Sequence, residues 1–390
     1  MQLKGLAEPL PAATPEAQAL QRPAGEVRER SDPFADAISP ALVGRGAVSW
    51  DPSSEVWQRI LAQTANPDRA RVALELFGRS LEGLEGRWAM EAAVLVWAAG
   101  TGRDGPGTEG LVTPIQGAKA LRRIQHMEPA LRSFVDGLLN ATASSAERAV
   151  LLKGIAARVT REDDPSLRGE LTELAGLVHG QSLDWMIAHT TAYGLETQDG
   201  LQQAHVKSCA PTIAQLAKAE NDPLAALAIA LDPFDPLDER SLAAREQKRM
   251  LEAAGGEAVS LRLYALLEGK IPGGRGSDLR AFLEEALRDA GIGWNCYDWA
   301  GLTAKEKKSL LDIAEKRLLL GYDLPLFLTE PGTSEGHYRL LTDVTYEQGR
   351  RAWRVHDTIL GKSRYLSDDA FLKGPFAAPD VVLSSLYLLG

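Results

Sequence analysis

The chain has 390 residues, 45% of them hydrophobic and 25% charged, which suits two to three domains with cores of ordinary size. Its 43 basic against 53 acidic residues give a formal net charge of -10, and no basic stripe is interleaved with aromatics, so nucleic acid is not expected as a partner. Two cysteines, Cys209 and Cys296, cannot build a disulfide framework, and without clustered histidines they make no structural zinc site. A reducing compartment is expected during folding, and no metal, nucleotide or flavin is implied.

Residues 1–45 are rich in Pro, Ala, Glu and Arg without a sustained period, which predicts a flexible arm. Its first residues, MQLKGLAEPLPAATPEAQALQRP, lack the continuous apolar core of a signal peptide. The expectation is a chain that is cytoplasmic when synthesised, with the arm as an address for a non-classical export route. No membrane span is expected either, since the most apolar stretch, MEAAVLVWAAG at 90–100, is too short to cross a bilayer.

Residues 46–194 read as an all-helical domain. Leu151, Ile155 and Val159 recur at helical spacing, as do Leu167, Leu171, Leu174 and Val178. GTGRDGPGTEG at 100–110 and REDDPS at 161–166 read as loops. This half carries no chemical motif, and recruitment of a partner protein is the role open to it.

From residue 195 to 390 the pattern becomes mixed. A helix is expected to begin near Cys209, and another over SDLRAFLEEALRDAG, with Ser277 as its cap and Leu279, Phe282, Leu283 and Leu287 as its stripe. Short strands follow at 323–330, 336–344, 350–357, 362–367 and 380–389. Helices followed by an antiparallel sheet make an α+β class. PGGRG at 272–276 lacks the Lys and Ser/Thr of a phosphate-binding loop, and DPFDPLDE at 232–239 lacks the spacing of a calcium loop, so both read as connectors.

The chemistry centres on LQQAHVKSCAPTIAQL at 201–216. A thiol is a nucleophile only as the thiolate, which the unpaired N–H groups and dipole of a helix N-terminus favour. Pro211 is tolerated in a first turn, which puts Cys209 at the mouth of the helix. Cys296, in GIGWNCYDWAG, reads as a packed residue after a Gly-rich turn. Cysteine catalysis also needs a base oriented by a third group. Of six histidines, His126, His179 and His189 lie in the helical half, His205 reads as part of a solvated loop, and His337 opens a strand after a turn. His337 is the expected base. A hairpin of GHYRLLTDV and RRAWRVHD would return Asp357 beside it, with His356 on the opposite face. Trp294, Trp299 and Trp353 read as core or rim anchors.

In QAHVKSCAPTIAQL, DLPLFLTEPGTSEGHYRLLTDV and VHDTILGKSRYLSDDAF, residues 195–390 resemble the papain-like cysteine peptidases, closest to the bacterial branch of double-glycine leader peptidases. The resemblance implies a papain-like fold and a cysteine peptidase acting on a protein or peptide substrate. It implies Cys209 as nucleophile, His337 as base, Asp357 as orienter, and Gln203 with the Cys209 N–H as oxyanion hole. Ala210 and Thr358 depart from that family's Gly and Pro at these positions. The same intermediate serves deamidation or acyl transfer, and an idle, protein-binding relative is the reading from a different class. Arm, helical domain and hydrolase together resemble bacterial effectors.

Overall fold

A computed structural model describes residues 50–62, 64, 67–84, 86–98, 111–158, 166–190, 200–232, 240–260, 274–289, 292–329, 335–347, 350–373 and 382–389. The predicted arm, the 100–110 loop, all but Ser166 of REDDPS, and Val159 lie outside these residues.

The first part is helical, as the periodicity predicts: α1 (Glu55–Leu61), α2 (Pro67–Leu81), α3 (Gly86–Ala98), α4 (Pro114–His126), α5 (Pro129–Asn140), α6 (Ser145–Arg158), α7 (Leu167–Val178) and α8 (Leu183–Thr190). Their starts follow local chemistry. The N-terminus of α4 has a capping box, in which Thr113 Oγ1 accepts from Gln116 N at 3.3 Å and Gln116 Oε1 accepts from Thr113 N at 3.0 Å. Leu167, Leu171, Leu174 and Val178 form the buried face of α7, as their spacing predicts.

The second part opens with α9 (Cys209–Asn221), α10 (Pro223–Leu231) and α11 (Leu242–Ala253), then strand β1 (Gly274–Arg275), α12 (Gly276–Asp289), β2 (Trp294–Asp298) and α13 (Ala304–Leu319). It closes with β3 (Leu324–Thr329), β4 (Glu335–Glu347), β5 (Arg350–Asp357), β6 (Lys362–Ser367), α14 (Asp368–Lys373) and β7 (Val382–Leu389). Six strands form an antiparallel sheet in the order β2-β7-β3-β4-β5-β6, with β1 pairing beside the start of β4. The class is therefore α+β. Alternating residues send each strand into two cores. Phe327, Tyr338, Leu340 and Tyr387 pack with α9, α11 and α12 on one face, and Leu326, Leu341, Trp353 and Leu386 pack with α13 and α14 on the other. In α9, Ile213 and Leu216 are fully buried, each contributing about 2 kcal/mol.

Several expectations need correction. Cys296 lies within β2, half-buried and paired opposite Tyr387, in a strand that begins directly after Gly293. Ser277 is not a cap, because α12 already begins at Gly276 and the exposed Ser277 hydroxyl turns to Asp278. PGGRG is not wholly a connector, since Gly274 and Arg275 pair with Gly336 and Glu335. Of DPFDPLDE only Asp232 is described, and it accepts from Leu242 N at the start of α11.

Buried charge joins the helical part to the elements that carry the candidate site. Lys153 of α6, fully buried, lies 3.5 Å from Glu220 of α9, and Arg69 of α2 pairs with Asp343 of β4 at 3.0 Å. Gln116 Nε2 donates to Glu220 O at 3.4 Å and to Asn221 Oδ1 at 3.3 Å. Leu227 of α10 and Leu319 of α13 enter the core of the helical part, so its apolar interior crosses residue 194. Replacing Lys153 by Met removes the cation facing a buried carboxylate, and a loss of about 3–5 kcal/mol is expected in urea denaturation. The double variant Lys153→Met/Glu220→Gln should recover much of it; additive losses would show that the two groups are not coupled.

Candidate active site

The segment that delivers Cys209 is held from two sides. On the sheet side, Gly200 N donates to Gly361 O at 2.7 Å, Gln203 N donates to Thr358 O at 2.8 Å, and the His356 ring meets Leu201 O at 3.1 Å. Gly361 must be glycine, because its φ is +64° and a Cβ there would lie 2.7 Å from Gly200 O. On the helix side, fully buried Gln247 of α11 spends its amide on the same segment. Its Oε1 accepts from Ala204 N at 2.7 Å and Ser208 Oγ at 3.0 Å, and its Nε2 donates to Gln202 O and Gln215 Oε1, each at 3.0 Å. Such a satisfied network defines one conformation of the backbone.

His205 belongs to this clamp, which corrects the expectation of a solvated loop. It is 1% exposed, its Nε2 meets Ala244 O at 3.0 Å, and its backbone bridges to Ser260. Tertiary burial overrides the polar look of AHVKS. Lys207 then adopts φ +64°, a conformation that costs a non-glycine residue on the order of 1 kcal/mol. This turn reverses the chain into α9. Ser208, drawn towards Gln247, makes no side-chain cap on the first turn of α9, in which Pro211 has no N–H to satisfy.

His337 arrives on β4. Gly336 before it cannot carry a side chain, since a Cβ would lie 2.2 Å from Leu328 O and 2.7 Å from the Phe327 ring. Register pairs Arg339 with Asp357, which puts His337 diagonal to Asp357, while His356 pairs with Leu340 on the opposite face. The predicted hairpin therefore brings His337 and Asp357 together, and the clamp brings Cys209 to them. The His337 side chain is 20% exposed, and Cys209 is 2% exposed. Burial opposes charge on the ring, but the adjoining Cys209 sulfur and the Asp357 carboxylate outweigh it and push His337 up to about 9.

The contacts of Asp357 differ from those expected of a simple orienter. Oδ1 is 3.7 Å from His337 Nε2, beyond hydrogen-bond range, and it accepts from Ile359 N at 2.9 Å and Leu360 N at 3.3 Å. Oδ2 pairs with Arg339 Nη2 at 2.7 Å. Burial works against its charge, yet His337, Arg339 and the Ile359 N–H together hold the carboxyl well below its usual range. Within hydrogen-bond range of Nε2 is instead Thr358 Oγ1, at 3.2 Å. Gln203 is 2% exposed, and its Oε1 is buried without a hydrogen-bond partner. A groove of about 600 Å³ opens beside Val206 and Lys207, bounded by Gly256, Glu257, Asp278 and Phe282.

Sequence reasoning did not single out Gln247, Arg339 or Thr358 as working residues. Thr358 stood out only as a departure from a family pattern, and Gln247 has no local signal. Among the described residues no group of three or more His, Cys, Asp or Glu is arranged to hold a metal ion. No helix among them is long and apolar enough to cross a membrane. No protein-family model matches the chain, and no curated protein is similar to it.

The two strand histidines predict an opposed pH response. Burial pulls His356 down to about 4, so the unfolded chain binds more protons than the folded one between about 4 and its usual 6.5, and stability rises with pH there. His337 is raised, so its contribution is complete below 6.5 and lost as pH rises through about 9. Urea midpoints should therefore peak near pH 6.5 from these two groups. Replacement by Gln at 356 should flatten the acid limb, and at 337 the alkaline one.

Proposed function

We propose that this chain is a cysteine hydrolase of papain-like organisation that cleaves an amide bond through a thioester. The observation that carries the reading is the His337 ring placed against the sulfur of Cys209, the first residue of helix α9. A helix bearing the cysteine, packed on an antiparallel sheet bearing the histidine, supports a papain-like arrangement.

With Nε2 occupied by Thr358, Nδ1 of His337 is the nitrogen left for the thiol. The thiolate attacks the carbonyl carbon, a C–S bond forms, and negative charge moves to oxygen. The Cys209 N–H and the Gln203 Nε2 amide hydrogens donate to that oxyanion in this reading. His337 gives its proton to the departing amine as the C–N bond breaks. Water then attacks the thioester while the ring takes its proton, releasing the acid and restoring the thiolate. Ammonia as the leaving group would make the same chemistry a deamidation.

In this reading the helical part acts as a support for α9 and β4, through Lys153 and Arg69.

Cys209→Ala and His337→Ala are expected to abolish turnover of a panel of peptide amides, whereas Cys296→Ala should keep it. Site-resolved alkylation with iodoacetamide needs no substrate. At pH 6 the rate at Cys209 should fall roughly tenfold or more in His337→Ala, because the imidazolium that holds the thiolate is gone. Equal rates in both proteins would mean an idle site and a binding role for the domain.

A further inference from the structure

We infer that Thr358, in place of the neighbouring carboxylate, is the residue that directly orients the His337 ring. This rests on the cysteine-hydrolase reading and assigns a positioning role within the same site.

Thr358 is fully buried, and its Oγ1 lies 3.2 Å from His337 Nε2 and 3.2 Å from Tyr338 O. A carbonyl oxygen can only accept, so the single hydroxyl proton goes to Tyr338 O. A lone pair of Oγ1 then faces Nε2, which must carry a hydrogen. The proton on Nε2 leaves Nδ1 as the atom that exchanges a proton with Cys209. Asp357 cannot take over this contact in the observed geometry. Its Oδ1 caps the turn through Ile359 N and Leu360 N, its Oδ2 is held by Arg339, and its nearest approach to Nε2 is 3.7 Å.

Asp357 supplies charge instead of a bond. The titratable groups around the ring are Cys209, Asp357 and, beyond the carboxylate, Arg339 and Arg364, and of these the first two favour the imidazolium. A hydroxyl has no charge with which to do this, but it has direction, which an ion 3.7 Å away lacks. The two residues thus divide between them what one carboxylate does in a triad. The Thr358 carbonyl in turn receives Gln203 N at 2.8 Å. One residue therefore touches both the base and the segment that carries the expected oxyanion donor.

The test uses the full chain with ¹⁵N-labelled histidine, His337 being assigned by its loss in His337→Gln. Above its alkaline midpoint the neutral ring of the wild type should be the Nε2–H tautomer; the Nδ1–H tautomer would overturn the assignment with no variant needed. In Thr358→Val, which keeps shape but removes the hydroxyl, alkylation of Cys209 at pH 7 should slow roughly tenfold, the scale of a lost hydrogen bond to a charged group. The alkaline midpoint of His337 should also move down. Thr358→Ser should restore both to within about twofold, a rescue that a packing role alone would not give. Thr358→Ala repeats the measurement if the valine variant does not fold. A Val or Ala variant with wild-type alkylation and titration would overturn the role of Thr358. Failure of the hydrolase reading itself appears elsewhere, as a wild-type Cys209 indifferent to His337→Ala.

Discussion

The clamp on residues 200–208 is the constraint on which the candidate site depends. Neither Cys209 nor His337 is placed by its own element alone. A helix can begin at any rotation about its axis, and a strand residue can sit anywhere along an edge. Backbone bonds from Gly200 and Gln203 to the turn after β5, with Gln247 holding the other side, remove that freedom. The cost is a left-handed Lys207, a strain on the order of 1 kcal/mol that one buried network readily offsets.

This arrangement makes the site a product of three chain segments far apart in sequence. The nucleophile helix is fastened at its C-terminal end to the helical part through Lys153, Gln116 and Arg158, and at its N-terminal end to the sheet turn. Displacement of either anchor would tilt α9 about the other. The helical part is thereby linked to the geometry around Cys209 by packing and buried charge, with no separate hinge needed to explain a connection.

Electrostatics reinforces the same geometry. His337 and His356 differ by nineteen positions on paired strands, yet Cys209 and Asp357 raise the one against its burial, while burial and Arg354 lower the other despite its carbonyl contact. Parity along the strands separates them: one side chain shares a face with Asp357 and the other with Leu340. Asp357 serves Arg339 and the following turn as well as the ring, so its charge reaches His337 at a distance.

Residues that act through local rules were legible in the sequence: the helix start at Cys209, the strands over 350–357 and 362–367 to the residue, and the hairpin that returns Asp357 to His337. Pattern and turn chemistry suffice there because each is decided within a few residues. Ser277 reads as a cap in the sequence because a serine carries the same local signal whether or not the helix has already begun. Only the tertiary structure decided that His205 is buried, that Gln247 holds the nucleophile segment, and that Thr358 stands closer to Nε2 than Asp357 does. Those outcomes turn on distances between residues from 21 to 43 positions apart, set by how the strands and helices pack, and no spacing within one segment encodes them.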